Sequence, residues 1–145
     1  MVDVSGKMIT NRAAVATGQI TMRPETLLRI TSQDIKKGDV FAVARIAGIM
    51  AAKQTATLIP LCHQLPLSSV TIDFTCEQKL GIITITASAK STGTTGVEME
   101  ALTAVSITAL TIYDMCKAIE KEMVIGEISL LRKTGGKNGT FIRNL

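Results

Sequence analysis

Two stretches of the chain alternate apolar and polar residues at every second position. Ser69 to Cys76 places Val70, Ile72 and Phe74 on one face, and Ile82 to Ala89 places Ile83, Ile85, Ala87 and Ala89 on one face. This is the pattern of half-buried strands, and Lys79-Leu80-Gly81 between them predicts a hairpin. From Val40 to about Thr57 the period changes. The stretch is rich in Ala, preceded by Asp39 as a candidate N-cap and stopped by the approach to Pro60, which predicts a long helix. Its apolar positions Phe41, Ala44, Ile46, Gly48, Ile49 and Ala52 wrap around much of its surface, so cover on more than one side is expected, with another subunit as one candidate. A second long helix is predicted from about Val97 to Lys121, after a Gly/Thr/Ser loop from Ser91 to Gly96. Shorter signals complete the order. Gly18 to Met22 reads as a short strand, Arg23-Pro24-Glu25 opens a helical turn or two through Ile30, and Lys36-Lys37-Gly38 breaks it. Val124 to Leu131 reads as a last strand before a tail from Arg132 to Gly139, and residues 1 to 16 read as irregular. Strand, helices, strand, strand, helix, strand is the order of a ferredoxin-like α+β fold, a four-stranded antiparallel sheet with two long helices packed on one face.

At 145 residues the chain suits a single domain spanning 1–145. Its hydrophobic share of 46% and charged share of 19% exclude a disordered composition. The longest near-apolar run, Ala101 to Tyr113, is interrupted by Thr103, Ser106, Thr108 and Thr111 and falls short of the roughly 20 residues of a membrane span. Residues 1 to 20 lack the basic start and apolar stretch of a secretory signal, so a cytoplasmic location is expected. Cys62, Cys76 and Cys116 show none of the close pairing of a zinc cage or redox dithiol, and reduced thiols with no metal are expected. A net charge of +4 is compatible with nucleic acid, an anionic membrane face or a polyanionic small molecule. The aromatics Phe41, Phe74, Tyr113 and Phe141 form no basic-aromatic strand of the kind that stacks bases, which moves a phosphorylated small molecule ahead.

Candidate chemistry falls in a few places. Asp114 and Lys117 are three apart on the second long helix, so they share a face and suit proton exchange, or form an ordinary surface ion pair. His63, in Ile59-Pro60-Leu61-Cys62-His63-Gln64-Leu65-Pro66, is the one imidazole, the side-chain type suited to proton transfer at neutral pH, with a satisfied structural histidine as the plain alternative. Lys37 stands at a helix start, where a solvated charge is the plain alternative. Glu98 and Glu100 flank Met99 in the first turn of the second helix, where acids also stabilise the helix dipole. Lys133 and Lys137 bracket Gly135-Gly136, whose amides suit an anion nest, but the Walker pattern is absent. A straight helix puts Glu98 and Asp114 about 24 Å apart along its axis, too far for one small substrate to touch both in one subunit. Either one end alone is catalytic or each site forms where two copies meet and contribute different ends, and the shared site is the favoured expectation.

Met1-Val2-Asp3-Val4-Ser5, KGDVFAVARIAGI from Lys37 to Ile49, LIPLCH from Leu58 to His63, GVEMEALT from Gly96 to Thr103, LTIYDMCK from Leu110 to Lys117, and Gly135-Gly136-Lys137 together resemble the MoaC family over nearly the whole chain. The resemblance implies a lyase of molybdenum cofactor biosynthesis, a cyclic pyranopterin monophosphate synthase acting on a GTP derivative already cyclised between ribose and guanine. Pyrophosphate leaves as the cyclic phosphate closes. No cofactor is implied. A homohexamer, a trimer of dimers with sites at dimer interfaces, is implied instead. Carried over by motif, Asp114 looks like the active-site acid or base with Lys117 as its partner, and His63 and Lys37 match functional positions. Leu61, Cys62, His63, Met99 and Glu100 match substrate-contact segments, with Glu98 as their neighbour. Gln64 stands where the family commonly has Pro, and Asn138 where Ser is frequent. The competing reading is a non-catalytic ferredoxin-like module that binds RNA or a regulatory metabolite.

Overall fold

The structure is a computed structural model that describes residues 1–145. Its elements are β1 (Thr10–Thr21), α1 (Pro24–Thr31), α2 (Val40–Lys53), α3 (Thr55–Leu58), β2 (Leu67–Glu77), β3 (Ile82–Gly93), α4 (Glu98–Cys116), β4 (Val124–Thr134) and β5 (Phe141–Ile142). The sheet runs β2-β3-β1-β4-β5 with every neighbouring pair antiparallel. The four long strands, with α2 crossing from β1 to β2 and α4 from β3 to β4, have the ferredoxin-like order. One correction concerns strand number. The two-residue β5, paired with Arg132 and Lys133 of β4, makes a fifth strand at the edge, beyond the four expected.

Alternation places one face of the sheet under the helices. Ala14, Ala16 and Ile20 of β1, Ile83, Ile85, Ala87 and Ala89 of β3, and Ile72 of β2 all point into the core, against Ala101, Ala104, Val105, Ala109 and Ile112 of α4. Residues on the register Ala14↔Ala89 and Ala16↔Ala87 are small, so α4 lies close on the sheet. This explains a second correction: β1 starts at Thr10, eight residues before the expected Gly18, because its buried positions carry side chains too small to stand out in a hydrophobic pattern. Opposite Thr17 to Gln19, β4 carries one extra residue, and Glu127 takes the positive φ of 55° within that bulge.

Asp39 caps α2 as expected, its Oδ1 accepting from the Ala42 amide at 3.0 Å. That helix ends at Lys53 and the single turn α3 follows, where the Thr55 hydroxyl donates to the carbonyls of Ala52 and Ala51 at 3.0 and 3.2 Å. Arg45 anchors α2 to β2, its Nε donating to the Ile72 carbonyl at 2.9 Å while its guanidinium lies 5.2 Å from the centre of the Phe74 ring.

Helix α4 ends at Cys116, five residues before the expected Lys121. The chain then turns, and the carboxylate of Glu120, 7% exposed, accepts from the Thr26 hydroxyl at 2.6 Å and from the Arg23 amide at 3.0 Å. Arg23, the N-cap of α1, makes no side-chain cap of its own, and this distant carboxylate ties the start of α1 to the chain that follows α4. Burial pushes the Glu120 pKa up, but the bonds from Thr26 and Arg23 outweigh it and leave the group below its ordinary value. Glu120→Ala is expected to cost about 3 kcal/mol in urea unfolding, because a buried hydroxyl and an amide lose their acceptor. The depressed pKa sets the sign with pH. The contribution is complete above the unfolded value of about 4.3 and is lost as pH falls through the folded one, so the wild-type and Glu120→Ala stabilities converge in acid.

Candidate active site

The residues expected to act together form two groups, one at each end of α4. At the C-terminal end, Asp114 Oδ1 accepts from Lys117 Nζ at 2.7 Å and Oδ2 from Lys37 Nζ at 3.1 Å. Lys37 also donates to the Asp114 main-chain carbonyl at 3.0 Å. All three side chains are about half exposed, so this is no buried structural pair. The turn Lys36-Lys37-Gly38 places Lys37, and Gly38 needs its φ of 114° to bring the chain round into α2. The hydrogen bond from Lys117, then that from Lys37, holds the Asp114 carboxyl below its ordinary pKa. The same bond holds the Lys117 ammonium above its own. The pair is a carboxylate and an ammonium at neutral pH.

The second group lies at the N-terminal end. Glu98, Met99 and Glu100 in the first turn of α4 face Leu61, Cys62 and His63 from the segment between α3 and β2 across a cavity of about 440 Å³. Glu100 is 3% exposed. Burial, and next the Glu98 charge, raise its pKa above the ordinary value against a lowering main-chain bond. Burial and the charge of Glu100 also raise the Cys62 thiol. The N-terminal segment closes this cavity through Val2, Val4 and Lys7, and the His63 Nε2 lies 2.8 Å from the Val2 carbonyl oxygen.

A larger cavity of about 770 Å³ opens beside the first and shares Lys7, Thr95, Gly96 and Glu98 with it. Its far wall is basic: Arg12, Lys133 and Lys137, with the Gly136 backbone between them. Gly135 and Gly136 have φ of 91° and 81°, and a Cβ on Gly136 would strike the Arg12 Nη1, so the turn that brings the cations together requires glycine. Arg12 is held by its Nε, which donates to the Gly93 carbonyl at 3.2 Å.

Residues 1–136 match the model of the MoaC family. The chain belongs to the MoaC family. Proteins named cyclic pyranopterin monophosphate synthase are similar to this MoaC chain over almost its full length. One from Brevibacillus brevis is 60% identical over 143 residues, covering 99% of this chain and 89% of that protein. Another from Magnetococcus marinus is 59% identical, covering 99% and 88%, and a third from Parvibaculum lavamentivorans is 55% identical, covering 97% and 88%.

Within this MoaC chain the structure brings Asp114, Lys117 and Lys37 into contact and gathers Leu61, Cys62, His63, Glu98, Met99 and Glu100 around one cavity. It does not bring the two groups together. Between Glu98 and Asp114 the 16 rises of α4 put about 24 Å along the helix axis. Sequence reasoning missed Lys7, Thr95 and Gly96, which lie on the boundary of the two cavities. Lys7 had one available signal, as the lone cation before Arg12, two residues after the Met1–Ser5 block.

Proposed function

We propose that this chain is a cytoplasmic cyclic pyranopterin monophosphate synthase, a lyase of molybdenum cofactor biosynthesis. Its substrate is a GTP derivative already cyclised between ribose and guanine, and its products are the cyclic pterin monophosphate and pyrophosphate. The observation that carries this reading is the pair of contiguous cavities, one basic and one lined by carboxylates and an imidazole. They match a guest with a triphosphate at one end and a heterocycle at the other. The three free cysteines suit a reducing compartment.

Closing the cyclic phosphate forms a bond from a ribose oxygen to the α-phosphorus and breaks the bond to the β-phosphate, so a base must take the hydroxyl proton while cations stabilise the leaving pyrophosphate. Arg12, Lys133 and Lys137 serve the phosphates. Rebuilding the heterocycle moves further protons. Asp114, kept ionised, is an acceptor, and Lys117, kept protonated, is a donor; Lys37 fixes Asp114 and adds positive charge. Glu100, its pKa raised by burial, keeps a proton to higher pH than an ordinary carboxyl, which suits a proton donor. Leu61, Cys62 and Met99 form the wall against the ring. Incubation with the cyclised dihydro-GTP derivative, read by pyrophosphate release and a fluorescent pterin product, tests the reaction. Absence of both products from folded protein would sink it.

The separation of the two groups is resolved if each site draws one group from each of two copies, within a hexamer built as a trimer of dimers. Val43, Ile46 and Met50 of α2 and Leu110 of α4 are exposed apolar side chains on the helical layer, which supports a second copy seated there in antiparallel sense. Mixing His63→Ala with Asp114→Ala under subunit exchange is expected to recover about one quarter of wild-type activity, since half the dimers are mixed and each holds one intact site. No recovery after exchange demonstrated by mass spectrometry counts against the shared site.

A further inference from the structure

His63 is the chain's one histidine, and its Nε2 lies 2.8 Å from the carbonyl oxygen of Val2, 61 residues away. A carbonyl oxygen has no proton to give, so the ring must be the donor. In the neutral imidazole that places the hydrogen on Nε2 and leaves the lone pair on Nδ1. The segment holding Val2 belongs to no helix or strand. Its own bonds brace it: Asp3 Oδ1 accepts from the Ser5 amide at 2.9 Å and the Ser5 hydroxyl at 2.7 Å, and the Lys7 amide donates to the Val4 carbonyl at 3.1 Å. It adds little to the core, with Met1 75% and Val2 72% exposed. What it does contact is the site: Val2 and Val4 line the His63 cavity, and Lys7 reaches both cavities.

We infer that Val2–Ser5 is a positioning strap for His63, in which the Val2 carbonyl fixes the ring as the Nε2-protonated tautomer and makes Nδ1 the nitrogen that accepts a proton during turnover. This rests on the placement of His63 in the active site proposed above. The ionisable groups around the ring are Glu98 and Glu100 on α4, Cys62 beside it and Lys7 just after the strap. None of them hydrogen-bonds His63, whereas Val2 does. The strap is therefore the element that selects between the two tautomers, which differ in which nitrogen can act as a base.

Because there is a single histidine, nitrogen NMR of 15N-histidine-labelled protein reads this ring without ambiguity. At a pH where the ring is neutral, Nε2 is expected at the protonated position and Nδ1 at the unprotonated one. Deleting Val2–Ser5, which keeps the Lys7 side chain but removes the Val4 carbonyl that holds its amide, is expected to average the two signals and lower kcat about 100-fold, with circular dichroism and the melting midpoint unchanged. Val2→Ala keeps the carbonyl and is expected to keep the tautomer. A ring protonated on Nδ1 in the intact chain, or an unaltered ring after the deletion, overturns the inference. These spectra need no substrate, so a failure of the proposed reaction is distinguishable from a failure of the strap.

Discussion

Asp114→Asn is expected to lower kcat by at least about 100-fold, the usual cost of removing a group that transfers a proton in the rate-limiting step, while leaving the melting midpoint in place. The second half of that expectation follows from exposure. Asp114 is about half exposed and its partners Lys37 and Lys117 are equally so, and ion pairs in that setting add little to folding. An amide preserves the shape of the side chain but neither accepts a proton nor retains the charge that draws both ammonium groups to it. The direction of the Asp114 pKa gives a further consequence. The Lys117 and Lys37 hydrogen bonds hold it below the ordinary value, so the acidic limb of kcat/KM lies below about pH 4, the ordinary carboxylate range. Lys37→Met removes one of the bonds and moves that limb upward. Lys117→Arg separates charge from proton donation, because guanidinium keeps the cation but does not deprotonate; KM is expected to hold while kcat falls. Full kcat in Asp114→Asn would mean that the triad at this end of α4 is only a surface ion cluster.

The same residues show how far the sequence could be read. Asp114 and Lys117 share a helical face by spacing alone, and the bonds between them follow. Lys37, 77 residues from Asp114, reaches the pair only because α2 packs along α4, which local pattern does not encode. The strands β2 and β3 were legible because Ile and Phe alternate with Thr and Asp. The part of β1 before Gly18 was not, since its buried face is Ala14 and Ala16, with Gly18 next on the same face. Those residues are small for a tertiary reason: a Cβ on Gly18 would lie 2.6 Å from Val105 Cγ1 of α4. Helix α4 stops at Cys116 rather than Lys121 because Glu120 is drawn back to Thr26 and Arg23, a long-range bond that overrides local helical preference. Lys7 escaped notice for a different reason. Its segment has no periodicity to read, and its importance comes from where the two cavities meet.

Gly48→Val is expected to destabilise the fold by about 3 kcal/mol or more, although it replaces the poorest ordinary helix former with a better one. Gly48 sits on the buried face of α2, where α2 crosses α4. A Cβ there would overlap Thr108 Oγ1 and Ile72 Cδ1 and approach the Ala104 carbonyl oxygen to 3.0 Å. The three neighbours differ in how far they can give. Ile72 Cδ1 is the end of a flexible side chain, but Thr108 Oγ1 is committed to a 2.7 Å bond to that same Ala104 carbonyl. Rotating it away would leave a buried hydroxyl unpaired, at about 1–3 kcal/mol. The carbonyl belongs to the α4 backbone and moves only if the helices separate. Even Gly48→Ala is therefore expected to lose stability, its helix-propensity gain of about 1 kcal/mol outweighed by the contact. Ile72→Val removes the Cδ1 atom, so it should restore part of the loss in Gly48→Ala while costing about 0.5–1.5 kcal/mol in the wild type. A double-mutant cycle in urea with a coupling energy near zero would contradict this packing. Helix separation also displaces both ends of α4. Gly48→Val is thus expected to weaken substrate binding even under conditions where the chain stays folded, since Glu98–Glu100 and Asp114 ride on that one helix.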